Sequence, residues 1–152
     1  MTTTTRTTNV IRNLKTTRFG ELNVPAAQVF TFKDGILGFP NYHEYAVLEN
    51  QSGGPFEWLQ CVQDPSLAFV IANPLQFKPD YRIKIKPWEL EPVELTDPSQ
   101  GRVAVILVIP KDTMKMTANL QGPIVFNVEK QLARQLVLVG DEYTTKYRIF
   151  QD

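Results

Sequence analysis

A chain of 152 residues, 43% hydrophobic and 21% charged, is long enough to bury a core in one domain and too balanced for the disordered or membrane classes. Sixteen basic residues against sixteen acidic ones give a formal net charge of zero, so the chain lacks the bulk positive field that accompanies phosphate-backbone binding. The single cysteine, Cys61, excludes an internal disulfide and a cysteine-cluster zinc site, and fits a reducing compartment.

Residues 1–12 are Thr-rich, with Arg6 and Arg12 and no acid, and show no hydrophobic period. They are expected to be a flexible tail on a single domain spanning 13–152. The tail lacks the apolar core of a secretory signal, and no later run approaches the ~18 apolar residues of a membrane span, so a cytoplasmic protein without membrane contact is expected.

Short β-type runs then alternate with Gly, Pro, Asp and Asn, and eleven prolines forbid long helices. Residues 28–32 form the first expected strand, which runs into Asp34-Gly35, a dipeptide suited to the positive φ of a tight turn. Strands follow at 45–49, 56–62 and 67–72, broken by Asp64-Pro65 and Asn73-Pro74. Residues 81–86 alternate apolar and basic side chains, the pattern of an edge strand with Arg82, Lys84 and Lys86 outward. Residues 102–109 are apolar at almost every position, which suits a central strand covered on both faces. Further strands are expected at 113–117, 124–128, 135–139 and 146–150, and a helical turn near 88–95 or 129–133. About nine or ten such strands must close their edges, so the fold is expected to be mainly β, a single-domain antiparallel β-barrel or barrel-like sandwich with little helix.

Catalytic groups are scarce. His43 and Cys61 are single copies, and a lone cysteine within Phe56-Glu57-Trp58-Leu59-Gln60-Cys61 reads as a small core hydrophobe, while His43 reads as a surface loop residue. No phosphate loop, nucleophile elbow, zincin motif or dinucleotide fingerprint occurs, so no enzyme activity, cofactor or metal is expected.

Several short motifs in order resemble one family. They are Phe32-Lys33-Asp34-Gly35-Ile36-Leu37-Gly38-Phe39-Pro40, then Leu59-Gln60 with Asp64-Pro65 and Ala68-Phe69, then Asn73-Pro74 with Phe77, Pro79, Asp80 and Tyr81. The most distinctive is Met116-Thr117-Ala118-Asn119-Leu120-Gln121-Gly122-Pro123-Ile124-Val125-Phe126-Asn127. Over residues 14–150 the chain resembles the FliW family of flagellar assembly factors, departing from the family pattern at Gly122, where Ala is common, and at Leu136, where Val is familiar. The resemblance implies a β-barrel-like cytoplasmic protein, a monomer when free, that binds flagellin and, in its absence, the translational regulator CsrA, without direct nucleic-acid contact.

Within that frame, Ile36 and Phe39 are either offered to a partner or buried by the turn, the turn being the stronger alternative. Asn119 and Asn127 are expected to satisfy turn backbone. Glu89, Glu91, Glu94 and Asp97 form an acidic stretch that either engages a basic partner or is a solvated edge. Phe56, Trp58, Phe77 and Trp88 are candidates to line an apolar groove for a flagellin helix, or core residues. The alternative function is a single-stranded nucleic-acid-binding barrel, with residues 81–86 and Trp88 as its platform.

Overall fold

The computed structural model describes residues 10–150. Residues 1–9 of the expected tail lie outside the described residues, and its last positions belong to a strand. β1 (Ile11–Thr16) pairs antiparallel with β2 (Gly20–Pro25), and Arg12 reaches Glu44 at 3.3 Å. Few side chains of this hairpin are fully buried, chiefly Leu14, Thr16 and Val24, too few to register as alternation along the sequence.

Nine further strands follow: β3 (Val29–Phe32), β4 (Glu44–Glu49), β5 (Glu57–Cys61), β6 (Ala68–Ala72), β7 (Arg102–Val108), β8 (Thr117–Ala118), β9 (Ile124–Asn127), β10 (Leu132–Gln135) and β11 (Tyr147–Arg148). β3 to β7 form an antiparallel meander. The first half of β7 then pairs with β9 through Val103 and Val125, β9 pairs with β10, and β10 returns to β3. Seven strands thereby close into a barrel. The closing β10–β3 pair is parallel, through Leu132 beside Thr31 and Ala133 beside Phe32, so the barrel is not wholly antiparallel. The second half of β7 pairs with β8, and β8 with β11, as an extension beyond the ring.

Alternating side chains serve two layers. Phe30, Phe32, Tyr45, Leu59, Cys61, Ile71, Ala104 and Phe126 fill the barrel, with Phe30, Phe32, Tyr45 and Phe126 meeting edge to face at 5.0–6.0 Å. Each such ring pair contributes about 0.5–1.5 kcal/mol beyond area burial. Outward residues are covered as well. The hairpin lies over Ala46 and Leu48, while residues 81–85 and 143–149 lie over Val105 and Leu107. β7 is therefore the doubly covered strand that its composition predicts.

Residues 81–86 keep their alternation but are not a strand. Tyr81 is buried with its hydroxyl donating to Leu120 O at 2.6 Å, and the Arg82 N–H donates to Tyr143 Oη, so the segment is a strap over the wall with no ladder partner. Residues 113–117 begin with a 3-10 turn (Thr113–Lys115) before β8, and β10 starts at Leu132, where a helical turn was one of two alternatives. Helical turn falls instead at Pro87–Val93, as a 3-10 helix. Residues 136–139 continue β10 without ladder assignment, with Leu136 and Leu138 N–H groups donating to Pro123 O and Gln121 O.

Gln60 pins the Asp64-Pro65 corner from within. Its fully buried side-chain Nε2 lies 3.0–3.5 Å from the carbonyl oxygens of Cys61, Asp64, Pro65 and Leu67. The Pro65 and Leu67 carbonyls also accept from the Thr17 and Cys61 N–H groups, but leucine removes the one donor that ties all four together, and Gln60→Leu is expected to destabilise the fold by about 2 kcal/mol in urea unfolding. A loss under about 0.5 kcal/mol would show that the corner holds without the amide.

Candidate functional site

The C-terminal ends of β3, β5, β7 and β10 and the N-terminal ends of β4, β6 and β9 meet at one mouth of the barrel, as their registers require. Two motifs distant in sequence join there. The Leu37 N–H donates to Gln135 Oε1 at 2.9 Å, Gln135 Nε2 donates to Gly122 O at 3.0 Å, and the Gly122 N–H donates to Asn119 Oδ1 at 3.0 Å. Gly122 makes room for this chain, since a Cβ would stand 2.9 Å from Asn119 Nδ2 and 3.0 Å from Gln135 Nε2. Gln135 is the residue the sequence did not single out for a role, because a side-chain bond across 98 positions leaves no local pattern.

The turn of Asp34 to Pro40 is built as a structural element. Gly35 holds φ +68°, and Ile36 and Phe39 exchange backbone hydrogen bonds. Ile36 is 2% exposed inside the barrel, which removes it from the candidate contact residues. Phe39 is half-buried, its ring edge-on to Phe69 at 5.5 Å, and Leu37 is the exposed apolar residue of the loop. Asp34 pairs with Arg134 at 3.7 Å, while Gly38 and Pro40 stand at the surface. The remaining motif residues are also turn-builders. Asp64 accepts from the Ser66 N–H and hydroxyl, which hold its carboxyl below the usual carboxylate range. Asn73 caps the turn at buried Pro74, Asp80 pairs with Lys78 at 3.0 Å, and Asn127 bridges Val93 O and the Lys130 N–H. Leu120 and Pro123 are buried, and Thr117 lies in β8.

The four acidic candidates separate by role. A 3-10 helix eclipses residues three apart, with about 6 Å between turns. Leu90 and Val93 accordingly point into the wall, whereas Trp88 and Glu91 share the outer face, and Glu94, which caps the helix with φ 60°, is exposed at its end. Glu89 Oε2 accepts from the Lys86 N–H at 2.9 Å, and Asp97 accepts from the Ser99 N–H and hydroxyl, which lower its pKa. Glu89 and Asp97 are thus turn caps. Among the described residues neither the Glu91 nor the Glu94 carboxylate has a hydrogen bond or ion pair.

The four aromatic candidates do not meet in one groove. Phe56 and Phe77 belong to the layer over β6 and β7, where Phe77 stacks on Tyr147 at 6.2 Å. Trp58 is half-buried under the hairpin, against Phe19 and beneath the Arg18 guanidinium at 4.5 Å. Trp88 alone of the four is exposed, at 64%. An open groove of about 560 Å³ is lined by other residues, among them Leu75, Ile83, Val103, Arg82 and Arg102, with Arg102 paired to Glu57.

Cys61 is fully buried, and burial pushes its thiol pKa up. His43 is half-buried with Nδ1 3.0 Å from Phe32 O, so it is a loop-fixing residue more than a surface one. No group of three or more His, Cys, Asp or Glu able to hold a metal occurs among the described residues, and no helix among them is long and apolar enough to cross a membrane.

Comparison with known proteins agrees with this geometry. The family model described as FliW protein matches residues 13–149. The chain is 37% identical to the flagellar assembly factor FliW of Ruminiclostridium cellulolyticum, over 91% of this chain and 95% of that protein. It is 40% identical to the factor of the same name from Alkaliphilus metalliredigens, over 91% of this chain and 86% of the other. A crystal structure of the flagellar assembly factor FliW superposes with a TM-score of 0.84 at 33% identity, over 93% of this chain and 99% of that one.

Two outcomes follow for this site. At Gly35 a Cβ would meet Phe39 O at 2.5 Å, whereas at Gly38 nothing lies within 4 Å, although both have positive φ. Gly35→Ala is expected to cost at least about 2 kcal/mol and Gly38→Ala about 1 kcal/mol in chemical denaturation, and equal costs would show that strain rather than collision governs the loop. Cys61 is expected to resist a thiol reagent until the protein unfolds, and a fast reaction in the native state would show that the barrel opens locally.

Proposed function

Because this chain belongs to the FliW family of flagellar assembly factors, we propose that it holds flagellin in the cytoplasm and, when free of flagellin, binds CsrA and relieves repression of flagellin messenger RNA. The protein works as a binder, without a reaction or a cofactor, and is a monomer when free. Flagellin and CsrA draw on one pool, so unexported flagellin sets the free pool by mass action.

The observation that carries the CsrA half is the outer face of the 3-10 helix. Trp88 and Glu91 stand on a backbone held by buried Leu90 and Val93, Glu94 follows at the helix end, and both carboxylates are without partners among the described residues. An RNA-binding regulator presents a basic surface, and an indole face beside carboxylates suits arginine through cation–π and charge-assisted contacts. Such complementarity favours orientation and rapid encounter.

Nucleic-acid binding by the barrel has less support. Tyr81 is buried, Lys84 lies 3.7 Å from Glu142, and Trp88 is followed by Glu89 and Glu91. A strand platform of aromatics beside free bases is what single-stranded binding uses.

Calorimetry with purified flagellin, with CsrA, and with CsrA after flagellin saturation tests the switch. Tight binding to each partner and loss of CsrA binding in the third titration are expected. Binding to flagellin alone would leave a chaperone. Glu91→Lys with Glu94→Lys is expected to weaken CsrA affinity about tenfold at low salt and less at high salt. Unchanged affinity would remove the acidic face from the interface.

A further inference from the structure

The extension of β7, β8 and β11 beyond the ring has one covered and one open face. Leu107, Met116, Ala118, Tyr147 and Ile149 point into the layer that holds Tyr81 and Leu120. By alternation Val108, Thr117 and Arg148 point the other way, and the registers set Val108 and Arg148 on either side of Thr117. One step along the β6–β7 register sets Phe69 beside Val108, so this face continues into the mouth where Phe39 meets Phe69. The open face is apolar at the surface: Val108 is 63% exposed and Met114 56% exposed, and Phe150 is exposed as well.

Its charges are mostly basic among the described residues, in a chain of zero net charge. Lys111 and Lys115 lie in the connection between β7 and β8, with no ion pair among the described residues, and Lys146 and Arg148 lie on or beside β11. The acid among them, Asp112, accepts the Met114 N–H at 3.1 Å as the cap of the Thr113–Lys115 turn. Exposed contiguous apolar surface rimmed by charge of one sign marks a docking surface, and the sign selects the partner.

We infer that the open face of β7, β8 and β11 is the docking surface for an amphipathic protein segment that carries acidic residues beside its apolar stripe. The inference rests on the proposed flagellin binding, and it places that partner here, away from the Trp88 helix. An amphipathic segment seats apolar side chains on Val108, Met114 and Phe150 while its acids face Lys111 and Lys115. The two surfaces share no residue, so the exclusion proposed above acts either by reach of the seated flagellin over the acidic helix or by coupling between the two sites.

The test is calorimetry of purified flagellin with the full chain, with Lys111→Glu/Lys115→Glu, and with Met114→Ser, each variant checked by thermal melting. The charge reversal leaves the core untouched. An unchanged melt with affinity about tenfold weaker at low salt, recovering toward the unmodified protein at high salt, is expected for the lysine pair, together with a several-fold loss for Met114→Ser. Flagellin binding by the unmodified chain that neither variant alters would overturn the assignment and leave the flagellin reading intact. Failure of the unmodified chain to bind flagellin would remove both. Anionic vesicles or RNA binding the unmodified chain more tightly than flagellin, with loss in the lysine variant, would assign the face to a different macromolecule and overturn the inference.

Discussion

One strand decides the shape of this protein. A β-strand has two edges, and β7 gives one to β6 while dividing the other, Arg102 to Ala104 for β9 and Leu107 to Val108 for β8. The first half of that edge closes the ring and removes its open hydrogen-bonding groups. The second half cannot close the ring, because it is already committed to β8, and it carries the small extension outward. Both the sealed barrel and the uncovered face beside its mouth follow from this division.

Much of this was legible in the sequence, for reasons that differ by element. The run 102–108 is apolar on both sides because it is packed on both sides, and β4, β5 and β6 sit between turn residues that permit no other structure. The alternation of 81–86 was equally clear and misled, because period two reports that one side faces the protein and the other faces water. A strap lying on a wall meets that condition as well as a strand in a ladder does. The β1–β2 hairpin shows the converse, with regular pairing but too little burial to mark its residues as strand.

The candidate site was less legible than the fold. Acidic residues at 89, 91, 94 and 97 are one cluster in sequence, yet the turns they border sort them, and two of the four are spent on backbone donors. Trp88, first grouped with other aromatics, belongs with Glu91 and Glu94 instead. For Ile36 burial by the turn is the stronger of two alternatives in the sequence, and the tight turn at Gly35 sends it inward. No local pattern could place Gln135 between Leu37 and Gly122, since each end of that link lies on a separate strand connection.

The parallel seam between β3 and β10 has a consequence in time. Residues 31 and 32 wait for residues 132 and 133, so about a hundred positions must be made before the seam can form, and loop-closure entropy makes such distant pairings late events. The mouth is assembled across the same seam, with Leu37 contributed early and Gln135 and Gly122 late. A chain that stops before residue 132 therefore has neither ring nor mouth. The ring is therefore acquired as a whole by a chain that has been made past residue 135, and not strand by strand.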